Sequence, residues 1–210
     1  MKDRKVLFDR YCLPAMRAQT NKNFTWFVGF DPQTPSEYWN YFGDIGRPIL
    51  ASSRADFHNK VMESLSESEE KTVISRVDND DALAINFTQI VQAMAGGIFA
   101  AGSALELPHV LHFRHGWEID DKTGQVYSRQ FPNSSFFSFL LDTCKETEIF
   151  DVHAGHHAHV SRYFPVTNVS LEKPMWLISV HGDNIGNKIS GTAITAGPNE
   201  LKDNFGVTKS

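Results

Sequence analysis

Arg76-Val77-Asp78-Asn79-Asp80-Asp81-Ala82 packs three carboxylates and an amide at the end of a strand-like run, Lys71 to Val77 (KTVISRV). Carboxylates at positions i and i+2 converge where the chain turns, and hard cations such as Mg²⁺ or Mn²⁺ favour such oxygen ligands. Concentrating acid in one loop costs like-charge repulsion unless a cation or a nearby arginine offsets it. Arg76 stands beside the loop and is placed to partner Asp78 or a phosphate. The same residues could form an Asx-type turn with Asp81 at or near the N-cap of a following helix. One Asp and one Asn would suffice for a cap, so three Asp favour a metal or a sugar.

A second acidic group, Glu118, Asp120 and Asp121, lies in Gly-Trp-Glu-Ile-Asp-Asp. A group that must take a proton from a hydroxyl is best served there by Asp120, and Trp117 beside it could stack on a sugar ring. The competing reading is a hairpin turn, because Asp121-Lys122-Thr123-Gly124 has good turn chemistry. Arg54 and Asn59 are further candidates for a ligand pocket, with surface roles equally open. His153, His156, His157 and His159 cluster, and His109, His112 and His115 recur at every third position. Histidines so spaced could bind zinc, but no Cys accompanies them. The second set lies in an apparent strand, where every third residue changes face. The Gly155 to His159 stretch reads better as a loop near a bound sugar, or as solvated surface.

The elements that would position these groups alternate. Arg4 to Gln19 has near-helical apolar spacing, with Pro14 expected to end or kink it. Phe24 to Phe30 (FTWFVGF) is an almost wholly apolar run, suited to a strand covered on both faces. Pro35 could open a helix through Tyr41, a short strand fits Pro48 to Ala51, and an amphipathic helix begins near Ala55 with Val61, Met62 and Leu65 inward. KTVISRV is the second strong strand, and Ala82 to Ala101 reads as one long helix. Strand, helix, strand, helix predicts an α/β domain with a parallel sheet in its first half. Ligands then bind beyond the carboxyl edge of the strands. FTWFVGF and KTVISRV should be neighbouring parallel strands. After Leu107, shorter runs at Val110–Phe113, Val126–Arg129, Ile149–Val152 and Trp176–Val180 predict an antiparallel or mixed extension.

Without repeats, linkers or charge blocks, the 210 residues read as a single domain, 1–210. Sixteen Phe and four Trp exclude a disordered chain. A net charge of −5 argues against phosphate-backbone binding, hence no nucleic acid as partner. Cys12 and Cys144 are too few for a disulfide framework and read as buried thiols. No apolar run reaches the roughly 18 residues of a membrane span, and no signal-peptide core follows Met1. The compartment expected is cytoplasmic, and the four Asn-x-Ser/Thr triplets, at Asn23, Asn86, Asn133 and Asn168, are then accidental.

RVDNDDAL resembles the Asp-x-Asp motif of glycosyltransferases with the GT-A fold. With FDRYCLPAMRAQTNKNFTWFVGFDPQTP near the start and PMWLISVHGDNIGN near the end, the chain resembles a small bacterial rhamnosyltransferase family related to nucleotide-sugar transferases. The likeness covers most of Phe8 to Gly191. It implies a GT-A-like mixed sheet and a metal-dependent transfer of a sugar, rhamnose among the options, from a nucleotide-sugar donor to a glycan or other hydroxyl acceptor. The cofactor implied is Mn²⁺ or Mg²⁺. By the same likeness Asp78 faces the ribose or the metal-bound diphosphate, Asp80 is a direct metal ligand and Asp81 is an added acid at the site's edge. His181 stands where a late histidine completes the metal shell; alone it could equally be a hydrogen-bonded histidine at a strand end. GT-A domains open with a strand before the first helix, whereas here a helix begins almost at Met1. The opening strand is then missing, leaving an edge near FTWFVGF bare or covered by a partner copy in a homo-oligomer, or the sheet begins with FTWFVGF. A non-catalytic sugar-binding relative and a metal-dependent phosphate-ester hydrolase are the alternatives.

Overall fold

The computed structural model describes residues 2–42, 46–65, 71–102, 107–132, 134–142, 157–182, 184, 188–197 and 199–208, without the side chains of 2, 3 and 157–159. The chain is a mixed α/β protein. Its opening helical stretch runs as α1 (Lys2–Leu7), a π-helical turn (Phe8–Cys12) and α2 (Leu13–Arg17). Proline has no N–H to give and its ring crowds the carbonyl four residues back. The helix answers by widening just before Pro14, with Leu13 N–H donating to Phe8 O, so the axis continues instead of breaking.

β1 (Phe27–Phe30) pairs in parallel with β2 (Arg47–Leu50). Between them lie α3 (Ser36–Trp39), started by Pro35 as expected, and a short 3₁₀ turn. After α4 (Arg54–Leu65) comes β3 (Lys71–Ser75). β3 is not a neighbour of β1. It pairs antiparallel with β8 (Phe137–Asp142) in the order β3-β8-β5-β9, where β5 is His109–Phe113 and β9 is Val166–Val169. Trp26, Val28, Val73 and Ile74 are half-buried rather than buried. The sequence pattern marked the two runs as strands, but a partner is chosen by complementary faces, and β8, buried from Phe137 to Leu141, supplies it. That sheet has core on both sides. Val110, Phe137, Phe139 and Leu141 face one cluster, while Leu111, Phe113 and Leu140 face the other, larger one.

The remaining sheet has the order β11-β7-β6-β10-β4. Its members are β4 (Ala82–Leu83), β6 (His115–Asp120), β7 (Val126–Gln130), β10 (Trp176–Val180) and β11 (Thr192–Ile194). β6 and β10 run parallel, and β4 runs antiparallel to β10. The long helix expected from Ala82 is therefore shorter: Ala82 and Leu83 are strand, and α5 spans Phe87–Ala100. Trp176 anchors the sheet, wholly buried, stacked on Phe136 with centroids 5.0 Å apart, its indole N–H donating to Phe113 O at 2.9 Å. Gly116 lies so close that an added Cβ would stand 2.0 Å from the Trp176 ring, which requires glycine there.

Candidate functional site

Strand direction assembles the site. Parallel β6 and β10 both point their carboxyl ends to one edge, with Asp120 opposite Val180. β4 runs the other way, so the residues that precede it, Asp78 to Asp81, enter at that same edge. Asp81 N–H donates to Asp78 O at 3.2 Å, which folds the acidic loop into a tight turn. His181 follows β10 directly, and its N–H donates to Asn184 Oδ1 at 2.5 Å.

The loop meets the histidine. His181 Nε2 and Asp80 Oδ2 are 3.0 Å apart across 101 residues of sequence, with side chains only 9% and 15% exposed. Asp78 is more open and accepts two bonds from the Arg76 guanidinium, 2.6 Å from Nη2 and 3.1 Å from Nε. Asp81 is different again. It is buried, its Oδ1 accepts the Ser179 N–H at 3.1 Å, and burial, reinforced by the charges of Asp80 and Asp78, pushes its carboxyl well above the usual range. Cys12, buried beneath the loop, is pushed up by burial first and by the same three carboxylates second, which makes it an inert thiol.

A cleft of about 610 Å³ opens in front of the loop. Asp78, Asn79 and Asp80 line it together with Arg4, Arg54 and Arg76, and the rings of Phe8, Trp26 and Phe57 supply apolar wall. Arg4 Nη1 donates to Asn79 Oδ1 at 3.2 Å, tying α1 to the loop. His58, also on the wall, is held below the ordinary histidine value by burial and then by the charges of Arg54 and Arg76. Three guanidinium groups beside a cluster of carboxylates, with aromatic rings adjacent, suit a ligand that is both anionic and planar, with a cation shared between it and the acids.

The family model described as "Putative rhamnosyl transferase" matches residues 1–193. The chain belongs to that family. No match to the chain is found among curated proteins. If a divalent cation were held at this loop, Asp80 and His181 are the two side chains placed to share it, while Asp78 is turned to Arg76. Asp80 Oδ2 and His181 Nε2, 3.0 Å apart, are spaced as adjacent ligands on one ion with bonds of roughly 2.1 Å would be. Among the described residues no set of three His, Cys, Asp or Glu is arranged to hold a metal. A two-donor start still fits Mg²⁺ or Mn²⁺, which commonly use one or two protein side chains and take the rest from phosphates and water.

The other expected residues fall in several places. Asp120 Oδ1 accepts the Lys122 N–H at 2.9 Å and the Thr123 N–H at 3.4 Å, and the former bond first holds its carboxyl below the usual range. It therefore forms the turn that its sequence also suggested. Asp121 accepts from Arg10 Nη1 at 2.7 Å and from Tyr11 OH at 2.6 Å, which clips the opening helix to the sheet edge. Trp117 is core, edge-on to Phe205 at 5.7 Å, and is not free to stack on a sugar. Arg54 lines the cleft, whereas Asn59 is exposed and is not part of its wall. His109, His112 and His115 do not converge: they reach Thr167, Asn168 with Ser134, and Leu171 O with Ser128, respectively. His153, His156 and Cys144, and the side chains of His157 and His159, lie outside the described residues, as does the run Ile149–Val152.

Sequence reasoning missed Arg4, Phe57 and Asn184 as wall residues. Arg4 and Asn184 stood inside or beside the recognised stretches but carry no motif of their own. Phe57 is visible only once α4 is docked, where Gly29 leaves room for its ring: a Cβ there would come within 2.9 Å of it.

Proposed function

We propose that the chain is a metal-dependent glycosyltransferase that moves a sugar, rhamnose by family, from a nucleotide-sugar donor to a hydroxyl of a glycan or other acceptor. The observation that carries the reading is the Asp80–His181 contact beside an arginine-lined cleft. Asp80 and His181 would hold Mn²⁺ or Mg²⁺, with Asp78 at its open side. The bound cation would act as a Lewis acid on the leaving diphosphate, neutralising the charge that grows as the sugar departs. Arg76, fixed against Asp78, and Arg54 and Arg4 across the cleft would grip phosphate oxygens, where planar guanidinium groups bind well. The rings of Phe8, Trp26 and Phe57 would exclude water from the flat part of the donor.

Asp120 is carried as the base that receives the acceptor's proton. It ends β6 beside Val180, one residue before His181, although its turn bonds lower its basicity. Purified chain with Mn²⁺ should cleave or transfer from a nucleotide sugar. Asp80→Asn and His181→Ala should each lose on the order of 100-fold or more of that turnover. Asp120→Asn keeps an acceptor for the Lys122 N–H, so the turn should survive while transfer falls and donor binding holds. Wild-type turnover by Asp80→Asn defeats the metal mechanism, and unchanged transfer by Asp120→Asn removes the base. Donor that binds without being turned over would make the chain a sugar-binding relative.

A further inference from the structure

The β4–β10 ladder stops early, and a side chain takes over where it stops. Ala84 N–H donates to Met175 O at 3.0 Å, and the register sets Leu83 opposite Trp176 and Ala82 opposite Leu177. In an antiparallel ladder the bonded pairs recur every second residue, so the next would join Asp80 to Ser179. Ser179 N–H donates instead to Asp81 Oδ1 at 3.1 Å, in a wholly buried setting. Asp81 has thus supplied with its carboxylate the acceptor that the Asp80 carbonyl would have provided. Asp80 is released from the strand, the chain turns back through the Asp81 N–H to Asp78 O bond, and the Asp80 carboxylate swings to His181, two residues beyond Ser179.

We infer that Asp81 is a positioning residue: by capping the ladder at Ser179 it sets Asp80 against His181, and it does not itself contact the metal or the donor. This rests on the proposed reading of Asp80 and His181 as metal ligands. Asp81 is not part of the cleft wall, while Asp78, Asn79 and Asp80 are. What the role needs is one buried acceptor oxygen of the right reach, which asparagine also provides and leucine, of nearly the same shape, does not.

The test uses the full chain as wild type, Asp81→Asn, Asp81→Leu and Asp80→Asn. Two signals are read: Mn²⁺ affinity, and, in the metal-free protein, the ¹⁵N resonance of the His181 imidazole, which reports its bond to Asp80. Asp81→Asn should bind Mn²⁺ as wild type does and keep the imidazole signal. Asp81→Leu should lose the signal and weaken Mn²⁺ by about tenfold or more, with Asp80→Asn losing both. Asp81→Asn behaving like Asp80→Asn overturns the inference, because the charge would then matter rather than the acceptor. Asp81→Leu with an unchanged His181 signal overturns it as well. If Asp81→Leu does not fold, the comparison of Asp81→Asn with Asp80→Asn still decides. If wild type binds no Mn²⁺, the metal reading fails, and the imidazole signals alone settle the positioning role.

Discussion

His109 and His112 are buried within the four-stranded sheet, at 3% and 2% exposed. Burial pulls both below the ordinary histidine value, more than the bonds His112 makes with Asn168 and Ser134 raise it. An imidazole that resists protonation when folded, but not when unfolded, lets the unfolded chain bind more protons as the pH falls. Its contribution to stability is whole above a pH of about 6.5 and is lost progressively below that. Denaturant unfolding between pH 7.5 and 5 should show this decline, and His112→Gln should flatten it; a wild-type profile without slope would dismiss the argument. These two histidines also show what spacing could not tell. Every third residue of a strand changes face, so the set could be doubted as a zinc site, but Thr167, Asn168 and Ser134 come from other strands and loops and are invisible in the local pattern. The acidic loop was legible from its carboxylate spacing, but the pairing of Asp80 with His181 only through resemblance to a family, since no local pattern links residues a hundred apart.

Among the elements, β6 carries the most consequential buried charge. Glu118 is wholly buried, ion-paired to Arg129, and its Oε2 accepts the Ser190 and Gly191 N–H groups at 2.9 and 2.8 Å. Arg129 in turn lies 3.7 Å over the Phe131 ring. The carboxylate therefore pins β7 and the segment after the His181 loop to one strand. Glu118→Ala should destabilise the fold by about 3–5 kcal/mol, because it leaves a guanidinium and two backbone donors without their acceptor. Equilibrium unfolding measures this, and a loss under about 1 kcal/mol would mean that water replaces the carboxylate. The sequence could suggest acid here for catalysis or for a turn. It could not show which of Glu118, Asp120 and Asp121 points inward, because that depends on which face of β6 meets Ser190. Strand alternation was readable, and so were α3, α4 and the first strand. β8 was overlooked although Phe136 to Leu141 is a plain apolar run, and without it β3 had no partner other than the wrong one.

At the scale of the whole molecule, the mixed α/β class followed from alternating apolar periods, whereas the division of the described residues into sheets of two, five and four strands did not. Pairing is set by long-range face complementarity, and one strand misplaced redirects its neighbours. No helix among the described residues is long and apolar enough to cross a membrane. A ligand that binds only the folded chain raises its melting temperature by mass action. With Mn²⁺ at about 100 times its dissociation constant, the gain of about 2.7 kcal/mol should move the midpoint up by roughly 5–10 °C for a chain of this size. Calorimetry with and without Mn²⁺ checks this. The shift should vanish on adding a chelator and in Asp80→Asn, and an equal shift in that variant would place the ion elsewhere.

The separation of 101 positions between Asp80 and His181 also sets a schedule. A ribosome adding about 5–20 residues per second delivers the acidic loop roughly 5–20 s before the histidine that completes it. Throughout that interval β4 has no β10 to pair with, and Asp81 has no Ser179 to cap. The nascent chain therefore carries its acids without their partner, and the contact between Asp80 and His181 forms only when β10 slots between β6 and β4. A chain stalled before Trp176 would hold most of the cleft wall without the contact that joins Asp80 to His181.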